Sequence, residues 1–416
     1  MKLKIGFGST PQELNVPDNL VMDILKANEV EIGLTGVDEV KRSLKSPIGT
    51  ARLKDIVKSG EKIVIVTSDI TRPVPSYKIL PSILDEIYEA GVNKEDIVVV
   101  LALGSHRTHT DEEKIKLVGQ KVYNEVKCID SDLNDCVRMG VTKAGTPVDI
   151  FRVVAEADRR ICVGNIEYHY FAGYSGGAKA IMPGVSTPSA IQANHSKMIF
   201  NDAKAGKLEG NPVREDLEEA IAFCPIDFIV NVVLDEKKEI IYAVAGDYIK
   251  AHREGCKFLD KIYKIELKEK ADIIIVSQGG APKDLNLYQT QKALDNAKHA
   301  IKDGGIIILV GSCKEGLGSQ IFEEWMTEAN TPDDLITRIR QNFRLGGHKA
   351  AAIALILKKA RIFMVSEMEH ELVKSIFMEP YDTVQEAYND AIKELGDDVK
   401  VLIMPYGGST LPVIND

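Results

Sequence analysis

His106, His109, His169 and His195, together with Lys179, are the side chains of this chain best suited to do chemistry. They lie in two stretches, Gly104-Ser105-His106-Arg107-Thr108-His109 and Glu167-Tyr168-His169-Tyr170-Phe171-Ala172-Gly173-Tyr174-Ser175-Gly176-Gly177-Ala178-Lys179, the second running on to Asn194-His195. The 416 residues include only eight histidines, so finding half of them between 106 and 195 points to a site. Imidazole transfers protons and ligates metals near neutral pH. A lysine after a glycine-rich turn adds a nucleophile or an anchor, and the Ala-Ile-Met-Pro-Gly that follows Lys179 is an apolar setting able to lower its pKa. A surface lysine on a helix is the competing reading.

Position in the chain sorts these residues further. His106 falls three residues beyond a strand-like run, where loops carry function. His109 sits in the polar run Arg107-Thr108-His109-Thr110-Asp111-Glu112-Glu113, which reads as a solvated helix start. The loop Thr67-Ser68-Asp69-Ile70-Thr71-Arg72-Pro73 brings hydroxyls, a carboxylate and a guanidinium to one strand–helix junction. Arg72 offers a fork for a carboxylate or phosphate. Equally, Asp69 or Thr71 caps the next helix and Arg72 pairs at the surface. Ser175-Gly176-Gly177-Ala178 permits close backbone approach to a ligand, but GxxxxGK[ST] spacing is missing and a Walker-type nucleotide site is not supported.

The elements that must position these loops are legible as apolar runs. Lys62–Thr67, Asp96–Leu103 and Arg160–Asn165 read as buried strands, with a helix from about Ser76 to Ala90. Later runs at Ala271–Ser277, Gly305–Val310, Ala360–Ser366 and Val399–Pro405 repeat the pattern with helices between. Continuous apolar strands alternating with helices predict an α/β fold with mostly parallel sheets, whose ligands collect beyond the carboxyl ends of the strands. The length implies two domains. The charged stretch Lys264–Lys270 marks the division, giving 1–268 as an N-terminal α/β domain with the acid/base and attachment residues and 269–416 as a C-terminal α/β domain closing the site.

Composition narrows the class. A net charge of −10 argues against a nucleic-acid partner, and no apolar run is long enough to span a membrane. The opening residues break their apolar pattern too early for a signal peptide, so a cytoplasmic protein is expected. Cysteines 128, 136, 162, 224, 256 and 313 lack CxxC spacing and read as buried free thiols.

The spacing of His169, Lys179 and His195 within EYHYFAGYSGGAKAIMPGVS and QANHSKM resembles the lactate racemase family. Asp69-x-Thr71-Arg72-Pro73, Gly104-x-His106-Arg107 and Tyr288-Gln289-x-x-Lys292 occur in family order, so the likeness spans most of the chain. It implies two α/β domains with the active site in the cleft between them. It also implies a nickel-pincer nucleotide, pyridinium-3-thioamide-5-thiocarboxylic acid mononucleotide with Ni(II), supplied by cofactor-assembly enzymes. Lys179 would carry it covalently and His195 would ligate the nickel; one imidazole beside soft pincer donors in a plane suits Ni(II). His106 and His169 would be the acid/base pair. Arg72 and Lys292, with Gln289 nearby, would hold the carboxylate of a 2-hydroxy acid, while Asp69 and Tyr288 would contact the cofactor or orient the site.

The chemistry this implies is coherent. A hydrogen alpha to a carboxylate is a poor acid, and removing it as hydride while a histidine takes the hydroxyl proton avoids a dianion. One departure bears on substrate. Lactate-specific members carry a tryptophan where this chain reads Gln341–Ala350, and Trp325 lies outside that segment. His348 falls near the aromatic position and suits an acid larger or more polar than lactate, such as a sugar acid; alternatively it caps its helix. Two other classes remain open: a metal-dependent hydrolase built on the histidines, lacking HExxH spacing and leaving Lys179 idle, and a non-catalytic protein that binds a small anion.

Overall fold

The apolar runs become the centres of two parallel sheets in the computed structural model, which describes residues 1–104, 106–344 and 346–414. Ser105 and Leu345, each within a stretch singled out above, lie outside the described residues. Two compact units form: Val30–Lys261, and Met1–Glu29 together with Ile262–Asp416.

In the unit Val30–Lys261 six strands stand in the order Ile240–Gly246, Phe228–Leu234, Arg159–Asn165, Ile63–Ser68, Ile97–Ala102 and Lys127–Asp130. Only the edge strand Ile240–Gly246 is antiparallel to its neighbour. Ile63, Ile65, Val99, Ile161, Val163 and Val230 are buried in the core of this unit, as a covered parallel sheet requires. The helix Ser76–Glu89 joins the same core through Ile79, Leu80, Ile83, Leu84 and Ile87, a stripe of i, i+4 spacing. Each such side chain contributes roughly 1.5–3 kcal/mol of burial before ordering entropy is subtracted. Chain order reverses between Ile63–Ser68 and Arg159–Asn165, which are hydrogen-bonded neighbours. A crevice opens outside the carboxyl ends at such a reversal, and the Asp69 and His169 loops both leave there.

The other unit has its own all-parallel sheet, ordered Glu379–Tyr381, Arg361–Val365, Ile301–Val310, Ala271–Ser277, Val401–Met404 and Val21–Ile24. The last of these strands corrects the domain division at 268. Val21–Ile24 pairs with Val401–Met404, Ser277 Oγ donates to the Gly6 carbonyl at 2.6 Å, and the Gly8 N–H donates to Asp284 Oδ2 at 2.7 Å. Residues 1–29 therefore belong with the C-terminal half, because a parallel strand completes that sheet's edge.

All six cysteines are free. Burial pushes the thiols up, Cys128 and Cys136 to about 11 and Cys313 to about 12, so they stay protonated and inert. Among the described residues no helix is long and apolar enough to cross a membrane.

Candidate active site

At the end of Ile63–Ser68 the buried Asp69 meets the exposed His106, with Nδ1 2.6 Å from Asp69 Oδ2. The Thr71 hydroxyl donates to both oxygens of that carboxylate, at 2.9 and 3.0 Å. Burial raises Asp69, but His106, Thr71 and Arg72 outweigh it and hold the carboxyl below its usual range. An ionised carboxylate only accepts, so His106 Nδ1 carries the proton and Nε2 is the basic nitrogen. Asp69 thus orients a histidine instead of capping Ser76–Glu89, which has no side-chain cap. Arg72 is exposed on the same loop.

His109 is not solvated as its neighbours suggest. The helix begins later, at Asp111, with a Thr110–Glu113 capping box, and the His109 side chain turns inward. Its Nδ1 lies 2.6 Å from Asp130 Oδ1, and its Nε2 accepts the Ile70 N–H at 3.1 Å. His109 ties down the loop that carries Asp69 and Arg72.

The second loop is a two-residue ladder, Tyr168–His169 against Gly173–Tyr174. Gly173 has φ +77°, and a Cβ there would lie 2.0 Å from the Lys207 carbonyl oxygen, so only glycine fits. The buried Arg214 donates to the Ala172 carbonyl at 3.1 Å and to the Tyr174 carbonyl. Asp260 accepts from the Tyr168 and Tyr174 hydroxyls, each at 2.8 Å. His252 Nε2 donates to the Ser175 carbonyl at 2.8 Å, and the Gly177 N–H donates to Asn231 Oδ1 at 2.8 Å. The glycines of this turn admit Asn231 and His252, a protein contact where the sequence suggested a ligand.

Phe171, buried at the tip of the ladder, gathers the chemistry. Its ring lies 4.5 Å from that of His169 and 4.8 Å from that of His195, both edge-on, and Lys179 Nζ is 6.0 Å from its centroid. His169 Nδ1 accepts the Ala172 N–H at 3.2 Å, so the neutral ring carries its proton on Nε2, the opposite tautomer to His106. Burial, with the positive charges of Arg72 and Arg214 adding to it, pushes His169 well below the usual histidine range. Lys179 stands on the tight turn Gly177–Ala180, partly buried. Burial, then Arg214 and Arg72, hold its ammonium well below the usual lysine range, a shift toward the nucleophilic form. His195 is the buried last residue of the helix Pro188–His195. Among the described residues no three His, Cys, Asp or Glu side chains gather around one metal position. The buried His195 imidazole and the Lys179 amine, both at the Phe171 ring, are the side chains that would hold a metal-bearing group, one as ligand and one as anchor.

In the other unit, Tyr288, Gln289 and Lys292 ride on the helix Leu287–Ala297, capped by Asn286, whose side chain accepts the Gln289 N–H at 3.1 Å. This helix follows the strand Ala271–Ser277, which lies at that sheet's own reversal. Gln289 and Lys292, three apart, share an exposed face. Lys349 Nζ donates to the Tyr288 carbonyl and sits 3.9 Å from the centre of its ring. His348 is buried, and its Nδ1 accepts the Gly346 N–H at 3.0 Å, so it does serve the start of the helix Gly347–Leu357. Burial, then Lys349, push it down to about 3, against a hydrogen bond to the Arg344 backbone that favours the charged form. Trp325 is wholly buried, and a Cβ on Gly347 would come within 2.5 Å of its ring, so this tryptophan braces the start of His348's helix.

Two histidines of opposite tautomer and a lysine whose ammonium is disfavoured, carried at the strand ends of a doubly wound sheet, are groups suited to acid–base chemistry. Residues 7–206 match the family model of the lactate racemase N-terminal domain and residues 267–412 that of the lactate racemase C-terminal domain. The chain is 36% identical to a lactate racemase from Thermoanaerobacterium thermosaccharolyticum over 98% of both chains, and 34% identical to one from Lactiplantibacillus plantarum over 90% of both. The lactate racemase apoprotein structure from the former organism superposes over the whole of both chains with a TM-score of 0.91 at 34% identity. A Thermotoga maritima protein shares the fold at 17% identity, with a TM-score of 0.68 over 92% of this chain and all of its own. The chain belongs to the lactate racemase family and is an isomerase, which removes the non-catalytic reading.

Proposed function

We propose that this racemase inverts C2 of a 2-hydroxy acid with a nickel-pincer nucleotide tethered to Lys179 and its Ni(II) ligated by His195. When bound, that group supplies a reversible acceptor for the C2 hydride. The chain's own residues do the rest. His106, its Nδ1–H held by Asp69, takes the substrate hydroxyl proton at Nε2. His169 serves the opposite enantiomer. In the tautomer described it is a donor, and it becomes a base only when the Ala172 N–H leaves Nδ1 and the ring proton moves there. We assign the substrate carboxylate to Arg72 and Lys292, with Gln289 beside Lys292, and contact with the bound group to Tyr288. Two cations on the carboxylate fix the pivot about which the planar keto acid turns between its faces.

The observation that carries this reading is Lys179 beside Phe171, with His169 and His195 on the same ring. Its test is peptide mapping by mass spectrometry of active protein, produced with cofactor-assembly enzymes. Added mass is expected on the peptide containing Lys179, and Lys179→Ala is expected to abolish racemisation while the thermal melt is retained. An adduct on a different lysine overturns the assignment.

The relatives bear the name lactate racemase, which makes lactate the reference substrate. A polar His348 where lactate-specific members carry tryptophan supports a substrate with a further hydroxyl, a sugar acid or another hydroxylated 2-hydroxy acid.

A further inference from the structure

We propose that Asn194 is a positioning residue that decides which ring nitrogen of His195 is offered to the metal; this rests on the reading of His195 as the nickel ligand. Asn194 is wholly buried beside it on the helix Pro188–His195. Its Nδ2 donates to Asp216 Oδ2 at 2.7 Å and to the Val213 carbonyl at 3.1 Å. Both partners only accept, so the amide has one orientation, nitrogen toward Asp216 and oxygen toward His195. That oxygen lies 3.0 Å from His195 Nδ1. An amide oxygen only accepts, so Nδ1 carries the ring proton and Nε2 keeps its lone pair for the metal.

Asp216 cannot easily release the amide. Its carboxylate also accepts from the Thr142 hydroxyl at 2.6 Å, the Thr146 hydroxyl at 2.7 Å and Lys197 Nζ at 3.1 Å. Lys197 in turn donates to the Ala193 carbonyl at 2.9 Å and to Thr146 Oγ1 at 2.8 Å, so a buried charge is paired and the end of the helix is pinned. Phe171 meets the imidazole edge-on. Turning the ring by half a revolution would set a C–H against Asn194 Oδ1, so the network selects one tautomer and one ring orientation together.

The test begins with apoprotein, where no metal biases the ring. Long-range proton–nitrogen NMR correlation reads the tautomer of His195, assigned by the signals missing in His195→Ala. The Nδ1–H form is expected, and a predominant Nε2–H form overturns the inference without touching the ligand assignment. The second arm uses holo-protein with the Lys179 adduct quantified by mass. Asn194→Leu is expected to lose nickel to a chelator about 10–100-fold faster than wild type. A wild-type rate overturns the positioning role. Nickel retained at wild-type level by His195→Ala overturns the ligand assignment instead, and this inference with it. Should Asn194→Leu fail to fold, the tautomer of the wild-type protein decides alone.

Discussion

Replacing Asp69 with asparagine isolates what the carboxylate does for His106, because size and burial are kept while the charge is lost. The bond between them is short, 2.6 Å, and the Asp69 side chain is only 4% exposed, whereas that of His106 is 37% exposed. A hydrogen bond to a charged partner contributes about 1.5–3 kcal/mol and a neutral one about 0.5–1.5. The exchange therefore costs roughly 1–1.5 kcal/mol, less where water screens the ring, or about tenfold in rate. A second effect adds to this. The new amide can turn its NH2 toward Nδ1 and force the wrong tautomer, which in a serine protease's Asp–His pair costs about 10⁴. Thr71 opposes that flip only weakly, since a hydroxyl that donates to Asp69 can also accept from an amide. Asp69→Asn is expected to lower kcat about 10–100-fold with KM nearly unchanged, the pattern of an interaction made in the transition state. Racemisation followed by chiral chromatography on protein of equal cofactor content measures it. A variant that keeps half or more of the wild-type kcat refutes the orienting role.

Metal analysis separates bases from ligand: His106→Ala and His169→Ala should lose racemisation and keep nickel, whereas His195→Ala should lose nickel, and equal nickel loss in all three counts against the division. Gly173→Ala combines a left-handed φ with a Cβ 2.0 Å from the Lys207 carbonyl, so a loss of roughly 3–5 kcal/mol and a clearly lower Tm are expected; an unchanged melt would show that this loop is not rigid. Comparison of kcat/KM for lactate, malate, a branched aliphatic hydroxy acid and gluconate tests the His348 reading. A site that hydrogen-bonds a substrate hydroxyl can discriminate by about 10⁴ against an analogue without it, so gluconate should exceed lactate, and a preference for lactate sinks the reading.

The fold was legible where burial is local. The run 271–277 is a strand over those very residues, and the helix read from Ser76 to Ala90 spans Ser76–Glu89. Its limit is sequence distance. Nothing near residue 21 announces that Val21–Ile24 will pair with a strand some 380 positions later, because parallel strands are joined by crossovers and short periodicity records only that a residue is buried. His109 was misread for a related reason. Its charged neighbours describe the local surface, but its partner Asp130 lies on another strand.

The same distance separates the reactive residues from those that brace them. His106 and Lys179 could be found because chemistry shows in residue type and loop position. Arg214, Asp260 and His252 could not, since they reach Tyr174, Tyr168 and Ser175 from 40, 92 and 77 residues away. Each is a polar or charged group taken out of water, a cost that geometry must offset. In the unit Val30–Lys261 part of that cost falls around the loop from His169 to Lys179 and the helix ending in His195. Arg214 is the clearest case. It braces the loop through two carbonyls, and its charge adds to burial in disfavouring the charged forms of Lys179 and His169. A neutral residue there could supply neither the full set of donors nor the field, so the arginine is better explained by the site's chemistry than by stability.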